Sequence, residues 1–251
     1  MNNDNPQHCL SSAERTRSAF PATSWSGRTL GEIYNHMSVE IDKYQNCLLE
    51  IKKRTEVIAS LISEEKTTGY LIVDVELVCL QFRKIIELIA LSSLVANKEI
   101  YAQQREKFKE DWNARLIFQD LERMNPKFYP NPSEQIEKTT KSGERYYHFE
   151  PLTSGFLSKE NALKIYERCG GILHAENPFK NKRNIAEIKA QFHDWIIQLI
   201  TLMNHHLIVL NNGNMVVGIM HSKDDGNPYA FLFAKTPEEF QQNFFGDINN
   251  P

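Results

Sequence analysis

The sequence has little that would mark a membrane, export or metalloprotein. Its longest apolar segment, 71–96, carries Asp74, Glu76, Arg83, Lys84 and Glu87, too many charges for a bilayer span. The N-terminus, MNNDNPQHCLSSAERTRSAF, lacks the apolar block of a secretory signal, which predicts a cytoplasmic protein with no membrane partner. Cysteine is scarce: Cys9, Cys47, Cys79 and Cys169 lie 38, 32 and 90 positions apart, with no C-x-x-C pair to bind zinc or run dithiol exchange, so they read as reduced thiols. Charge of one sign is lacking as well. The 29 Lys and Arg against 32 Asp and Glu give a net charge of −3, which excludes a protein that coats DNA or membranes indiscriminately. There is no glycine-rich phosphate loop, no G-x-S-x-G and no H-E-x-x-H, so nucleotide hydrolysis, serine hydrolysis and zinc proteolysis have no motif. His193, His205 and His206 have no nearby pair of acids to complete a ligand set, and neither a metal nor a cofactor is expected.

What is present is apolar material at helical spacing. With 41% hydrophobic residues in 251, the chain can bury a sizeable core in one or two domains. Residues 1–28, rich in Asn, Ser, Thr and Pro without periodicity, read as a flexible arm. From Ile33 through Met37, Ile41, Tyr44, Leu48, Ile51, Thr55, Ile58 and Ile62, steps of three and four predict a long amphipathic helix. Residues 70–97, apolar on most of the circumference, predict the central helix of a bundle. A third helix is expected over 99–124, with Leu116, Phe118 and Leu121 inward. Asn125-Pro126 ends it, and an inserted loop or small hairpin follows at about 126–157. Ser158 and Asn184 are placed as N-caps for the last two helices, to about 169 and 205, and Gly170-Gly171 is expected to break the first of these. Beyond 206, LIVL and MVVGIM flank Asn211-Asn212-Gly213-Asn214, a hairpin signal; Tyr229–Phe233 offers a third strand, and Thr236-Pro237 opens a short helix. The expected fold is mainly α: a bundle of four to five helices over 29–205, with a small C-terminal antiparallel appendage at 206–251 packed on it.

The segment most suggestive of chemistry is Tyr166-Glu-Arg168-Cys-Gly-Gly-Ile-Leu-His174-Ala-Glu-Asn177-Pro-Phe179. In one continuous helix, positions six apart stand about 120° off each other's face; a break at the double glycine would let Arg168 and His174 converge. Between 159 and 189 there are seven Lys or Arg against four acids, a local excess that suits a phosphate backbone or an ordinary solvated helix end. Glu76, Arg83 and Glu87 share one face of the central helix, either supporting that site or forming a self-satisfied ion cluster. Tyr166 reads as a base-stacking surface or a buried aromatic. Asn177-Pro178 reads as a turn that plugs Phe179 into the bundle, with a supporting or binding role for Asn177 as the alternative. Arg168 can also simply pair with Glu167 or another acid, and His174 can tie down its loop.

Arg168 to His174 resembles the Arg, four to six residues, His motif of HEPN domains, helical bundles common in prokaryotic toxin and defence systems. Many of these are described as metal-independent ribonucleases that act as dimers. The resemblance covers about 30–205, and Cys169 stands where active members often carry Asn, Asp or His. It implies a homodimer that binds or cuts RNA, with His174 as general base on a ribose 2′-hydroxyl and Arg168 on the scissile phosphate, leaving a cyclic phosphate. An imidazole with an ordinary pKa near 6.5 and a guanidinium that holds two phosphate oxygens suit those roles without a metal. Two alternatives stand beside it: a non-catalytic module whose bundle and hairpin bind a protein partner such as an antitoxin, and a small-ligand pocket lined by Glu76, Arg83 and His174.

Overall fold

The computed structural model describes residues 30–98, 113–139, 145–179 and 181–233, together with Gly143. The expected arm at 1–28, the first half of the third helix and the helix opening at Thr236 lie outside the described residues. Packing divides the chain into Met1–Met37 and Ser38–Pro251, and the core and the candidate site both belong to the second unit.

Helix α1 (Leu30–Ile62) buries Tyr44, Leu48, Ile51, Thr55 and Ile58 of the stripe its spacing predicts; at its end Leu61 is buried, while Ile62, expected inward, is half-buried. The turn after it is fixed by Asp74, whose carboxylate accepts from the Thr68 backbone N–H at 2.8 Å and the Thr67 hydroxyl at 2.6 Å. Those two bonds hold its pKa below the ordinary carboxylate value. Helix α2 (Leu71–Ala96) is the core helix: Val75, Val78, Cys79, Phe82, Ile85, Ile86, Ile89 and Ala90 are all buried, and α2 packs against three other helices. Helix α3 (Ala114–Met124) starts at Asn113, whose side chain accepts from the N–H groups of Arg115 and Leu116. It buries Ile117, Phe118 and Leu121, while Leu116, expected inward, is exposed.

Helix α4 (Lys159–Ile172) is capped by Ser158, which accepts from the Asn161 N–H at 3.2 Å. It differs from expectation at its end, because the helix runs through Gly170 and Gly171 rather than breaking there. Neither glycine adopts a positive φ. Helix α5 (Ile185–Asn204), capped by Asn184, buries Ile188, Phe192, Ile196, Leu199, Leu202 and Met203. Among the described residues no helix is long and apolar enough to cross a membrane.

The β structure is larger than a C-terminal appendage. Strands β1 (Asn131–Thr139), β2 (Arg145–Pro151), β3 (His205–Val209), β4 (Met215–Ile219) and β5 (Tyr229–Phe233) form one antiparallel sheet in the order β2-β1-β3-β4-β5. The fold is therefore mixed helix and sheet, not mainly α. The hairpin at 126–157 and the C-terminal strands were each visible as local turn signals, but their union depends on a two-residue, long-range register, Asn131 opposite Leu207 and Pro132 opposite His206. No local pattern encodes that pairing, and Pro132, which cannot donate, sits near the start of its strand where such a residue is tolerated.

The sheet's inner face, with His206 and Ile208 on β3, Val216 and Gly218 on β4 and Ala230 and Leu232 on β5, meets the helices. Its outer face carries the buried Leu207, Met215 and Val217. Past Pro132 the β1–β2 hairpin leaves the sheet and turns over that outer face: the Phe149 ring lies 5.0 Å from His205 and 6.4 Å from Phe233.

Candidate functional site

The motif segment is the last two turns of α4 and the loop 173–184. The inner side of α4 is braced against α2. Arg83 donates through Nη1 to the Tyr166 carbonyl at 3.0 Å, and its guanidinium carbon lies 3.9 Å from the centre of the Tyr166 ring. Arg83 Nη2 lies 3.8 Å from Glu87, which in turn accepts from the Tyr166 hydroxyl at 3.0 Å. A Cβ at Gly170 would stand 2.5 Å from Arg83 Nη1, so the glycine leaves room for the guanidinium in this position rather than making a turn. Burial, and then the Glu87 carboxylate, raise the Tyr166 pKa. The neighbouring Cys79 thiol and burial push the Cys169 thiol up, which makes it an inert core thiol.

Three of the flagged residues, Arg83, Glu87 and Tyr166, thus form one network, and its bonds close within itself. Glu76, two turns earlier on α2, enters none of these bonds among the described residues. Glu167 pairs with Arg115 at 2.7 Å.

The outer side of the segment is different. Arg168 has a side chain 43% exposed, in contact among the described residues with Glu187 of α5 at 3.9 Å and with the Trp195 ring, 5.9 Å from its guanidinium carbon. His174, just past the helix, is exposed. Arg168 lies in the last two turns of α4 and His174 lies two residues past its end, in the loop, so the double glycine does not separate them by a break and their relation is set by the helix C-terminus and the loop.

Sequence reasoning missed what organises the loop. Arg183 donates to the carbonyls of Ile172 and His174, both at 2.8 Å, and its backbone N–H bonds Glu176 at 2.6 Å. A basic side chain on the free carbonyls of a helix C-terminus was a readable signal. Asn177 makes the expected turn, accepting from the Phe179 N–H at 2.9 Å. The ring of Phe179, however, is 96% exposed and does not plug the bundle. The buried positions flanking the loop belong to Ile172 and Ile188, and a turn motif fixes the backbone without fixing where the next side chain goes.

His205 and His206, adjacent in a strand, point to opposite faces. His206 is fully buried: Nδ1 donates to the Met203 carbonyl at 3.1 Å, which leaves Nε2 to accept from the Tyr44 hydroxyl at 2.6 Å. Burial pushes its pKa down to about 4. The imidazole fits only because Gly218 lies opposite it in the sheet.

A cavity of about 330 Å³ opens between the α1–α2 turn and α5, floored by Leu61, Val75, Val78 and Phe192, with the Glu64–Lys189 ion pair at its rim. It is lined by none of Glu76, Arg83 and His174, so the ligand pocket imagined among those three is not this cavity.

Comparison of the chain with models of protein families, with curated proteins and with solved structures finds no significant match of any of the three kinds.

Proposed function

We propose that this protein binds and cuts single-stranded RNA as a homodimer, with Arg168 and His174 as the reacting pair. The observation that carries the reading is their shared exposure at the end of a helix braced from behind. Arg83, Glu87 and Tyr166 fix α4, Arg183 fixes the loop, and the two side chains suited to phosphate and proton transfer are left on the solvent side.

The roles follow from the groups. Arg168, in long contacts with Glu187 and the Trp195 ring and 43% exposed, is available to grip phosphate oxygens. His174 takes the proton of the ribose 2′-hydroxyl, the 2′-oxygen attacks the adjacent phosphorus, and the 5′-oxygen leaves with a proton from solvent, giving a 2′,3′-cyclic phosphate. The HEPN resemblance implies a dimer in which two such motifs meet, so the site is composite, with Arg168 of one copy opposite His174 of the other.

The test is cleavage of single-stranded RNA in excess chelator. Arg168→Ala and His174→Ala each lower the rate by roughly a hundredfold or more with unchanged far-UV circular dichroism, and mixing the two variants restores part of it. Undiminished cleavage in both variants rejects the assignment.

A second reading, a non-catalytic module that docks a protein partner, is favoured by Cys169. Its thiol is committed to Cys79 in the core, at the position where a polar residue would assist chemistry. A monomeric mass in solution together with no RNA gel shift selects this reading.

A further inference from the structure

We infer that Phe179 is a stacking platform for an unpaired nucleobase, so that the ligand of the Arg168–His174 face is single-stranded rather than duplex RNA. The inference rests on the RNA reading above and adds a residue and a selectivity that the motif does not contain.

Phe179 is the most exposed of the large apolar side chains among the described residues, at 96%. A ring so placed on a floppy loop would mean nothing, but this loop is held. Asn177 closes the turn onto the Phe179 N–H, Pro178 fixes a backbone angle, and Arg183 ties the loop to the end of α4 through two carbonyls and to Glu176 through its N–H. The backbone that carries the ring is thus held at Asn177 and by Arg183, while the ring itself stands in solvent with both faces open to a base.

What surrounds it selects the partner. His174 and Lys182, on either side of Phe179 in the same loop, are exposed, and Arg168 stands on the preceding helix with much of its side chain in solvent. An apolar protein surface gains nothing from burying the polar and cationic groups of this loop and helix end. A nucleotide uses both kinds, its base lying on the ring and its phosphates meeting the cations. Duplex RNA offers no free base face except at its ends, hence the preference for unpaired strands.

The experiment is fluorescence anisotropy of an end-labelled single-stranded oligoribonucleotide with the full chain, set beside the same sequence as a duplex. Phe179→Ala is expected to weaken single-strand binding roughly five- to a hundredfold, while the slope of log K against log salt stays the same, because an uncharged ring releases no counterions. Phe179→Trp keeps the affinity, and its additional indole emission is quenched when RNA is added. Helical content is unchanged in both, since the side chain contributes nothing to the core.

Equal affinity of Phe179→Ala and the parent chain, with Arg168→Ala and His174→Ala still defective, overturns the stacking role and leaves the RNA reading standing. Failure of the parent chain to bind RNA overturns both. A fall in solution mass of Phe179→Ala with unchanged RNA affinity overturns the stacking role in favour of a contact between protein chains.

Discussion

Substituting Gly218 by Ala tests the buried histidine and the sheet register together. A Cβ at this position would lie 2.4 Å from both Cε1 and Nε2 of His206 and 3.2 Å from Cε1 of Tyr44, where ordinary contact begins at 3.4 Å. The imidazole would have to retreat by about 1 Å, and it has nowhere to go without loss. Its Nδ1 bond to the Met203 carbonyl is 3.1 Å and its Nε2 bond from Tyr44 is 2.6 Å, so such a shift breaks at least one. Each buried polar group left unpaired costs roughly 1–3 kcal/mol, and forcing an extra methyl into a packed core adds 1–3 kcal/mol, so Gly218→Ala should destabilise by about 3 kcal/mol. Urea denaturation followed by circular dichroism measures this. The decisive comparison is a double-mutant cycle: in the His206→Ala background the same Gly218→Ala change should cost under about 1 kcal/mol, a coupling of about 2 kcal/mol. Costs that add to within about 0.5 kcal/mol would show that imidazole and glycine do not meet, and the register placing them opposite each other would be wrong.

His206 also sets a pH dependence. An unfolded histidine titrates near 6.5 and the folded one near 4, so the unfolded chain binds the extra proton between these values. The corresponding stability is whole above pH 6.5 and is lost as pH falls towards 4, by about 3 kcal/mol; thermal melts of the parent chain should show this slope, and His206→Ala should flatten it. The two motif glycines should respond unequally. Gly171→Ala meets open space within a helix and should raise stability by about 0.5–1 kcal/mol, whereas Gly170→Ala displaces the flexible Arg83 guanidinium from the Tyr166 carbonyl and should gain less. A gain at Gly170 as large as that at Gly171 in thermal melts contradicts the packing of Arg83 against α4.

The helices were legible because each rests on signals within a dozen residues. The stripe from Tyr44 to Ile58, the apolar circumference of α2 and the caps at Ser158 and Asn184 all occur as read. The spacing of Arg83 and Glu87 on a buried helix marked a polar network, yet not its partner, since Tyr166 lies 83 positions from Arg83. Gly170 was misread for the same reason. From its neighbours it resembles a breaker, and the guanidinium that lies against it comes from another helix. The five-stranded sheet was read as two separate β pieces because hairpins are written locally and the β1–β3 ladder is not. The candidate pair, Arg168 and His174, was visible as residue types; the continuation of α4 through both glycines to Ile172, which leaves His174 in the loop, was not.

The junction of β1 with β3 also constrains the order of folding. Asn131 waits 76 positions for Leu207, Asn125 waits 84 for the Val209 carbonyl, and Tyr44 waits 162 for the His206 ring. Until the strand at 205–209 has been synthesised, the hairpin at 131–151 has an unpaired edge and the helices have buried polar atoms without partners. The completion of this sheet is a late, high-contact-order event that joins the earliest and latest described parts of the second unit. Truncation before residue 205 should therefore leave a collapsed helical chain with an open strand edge, prone to self-association, rather than a smaller stable bundle.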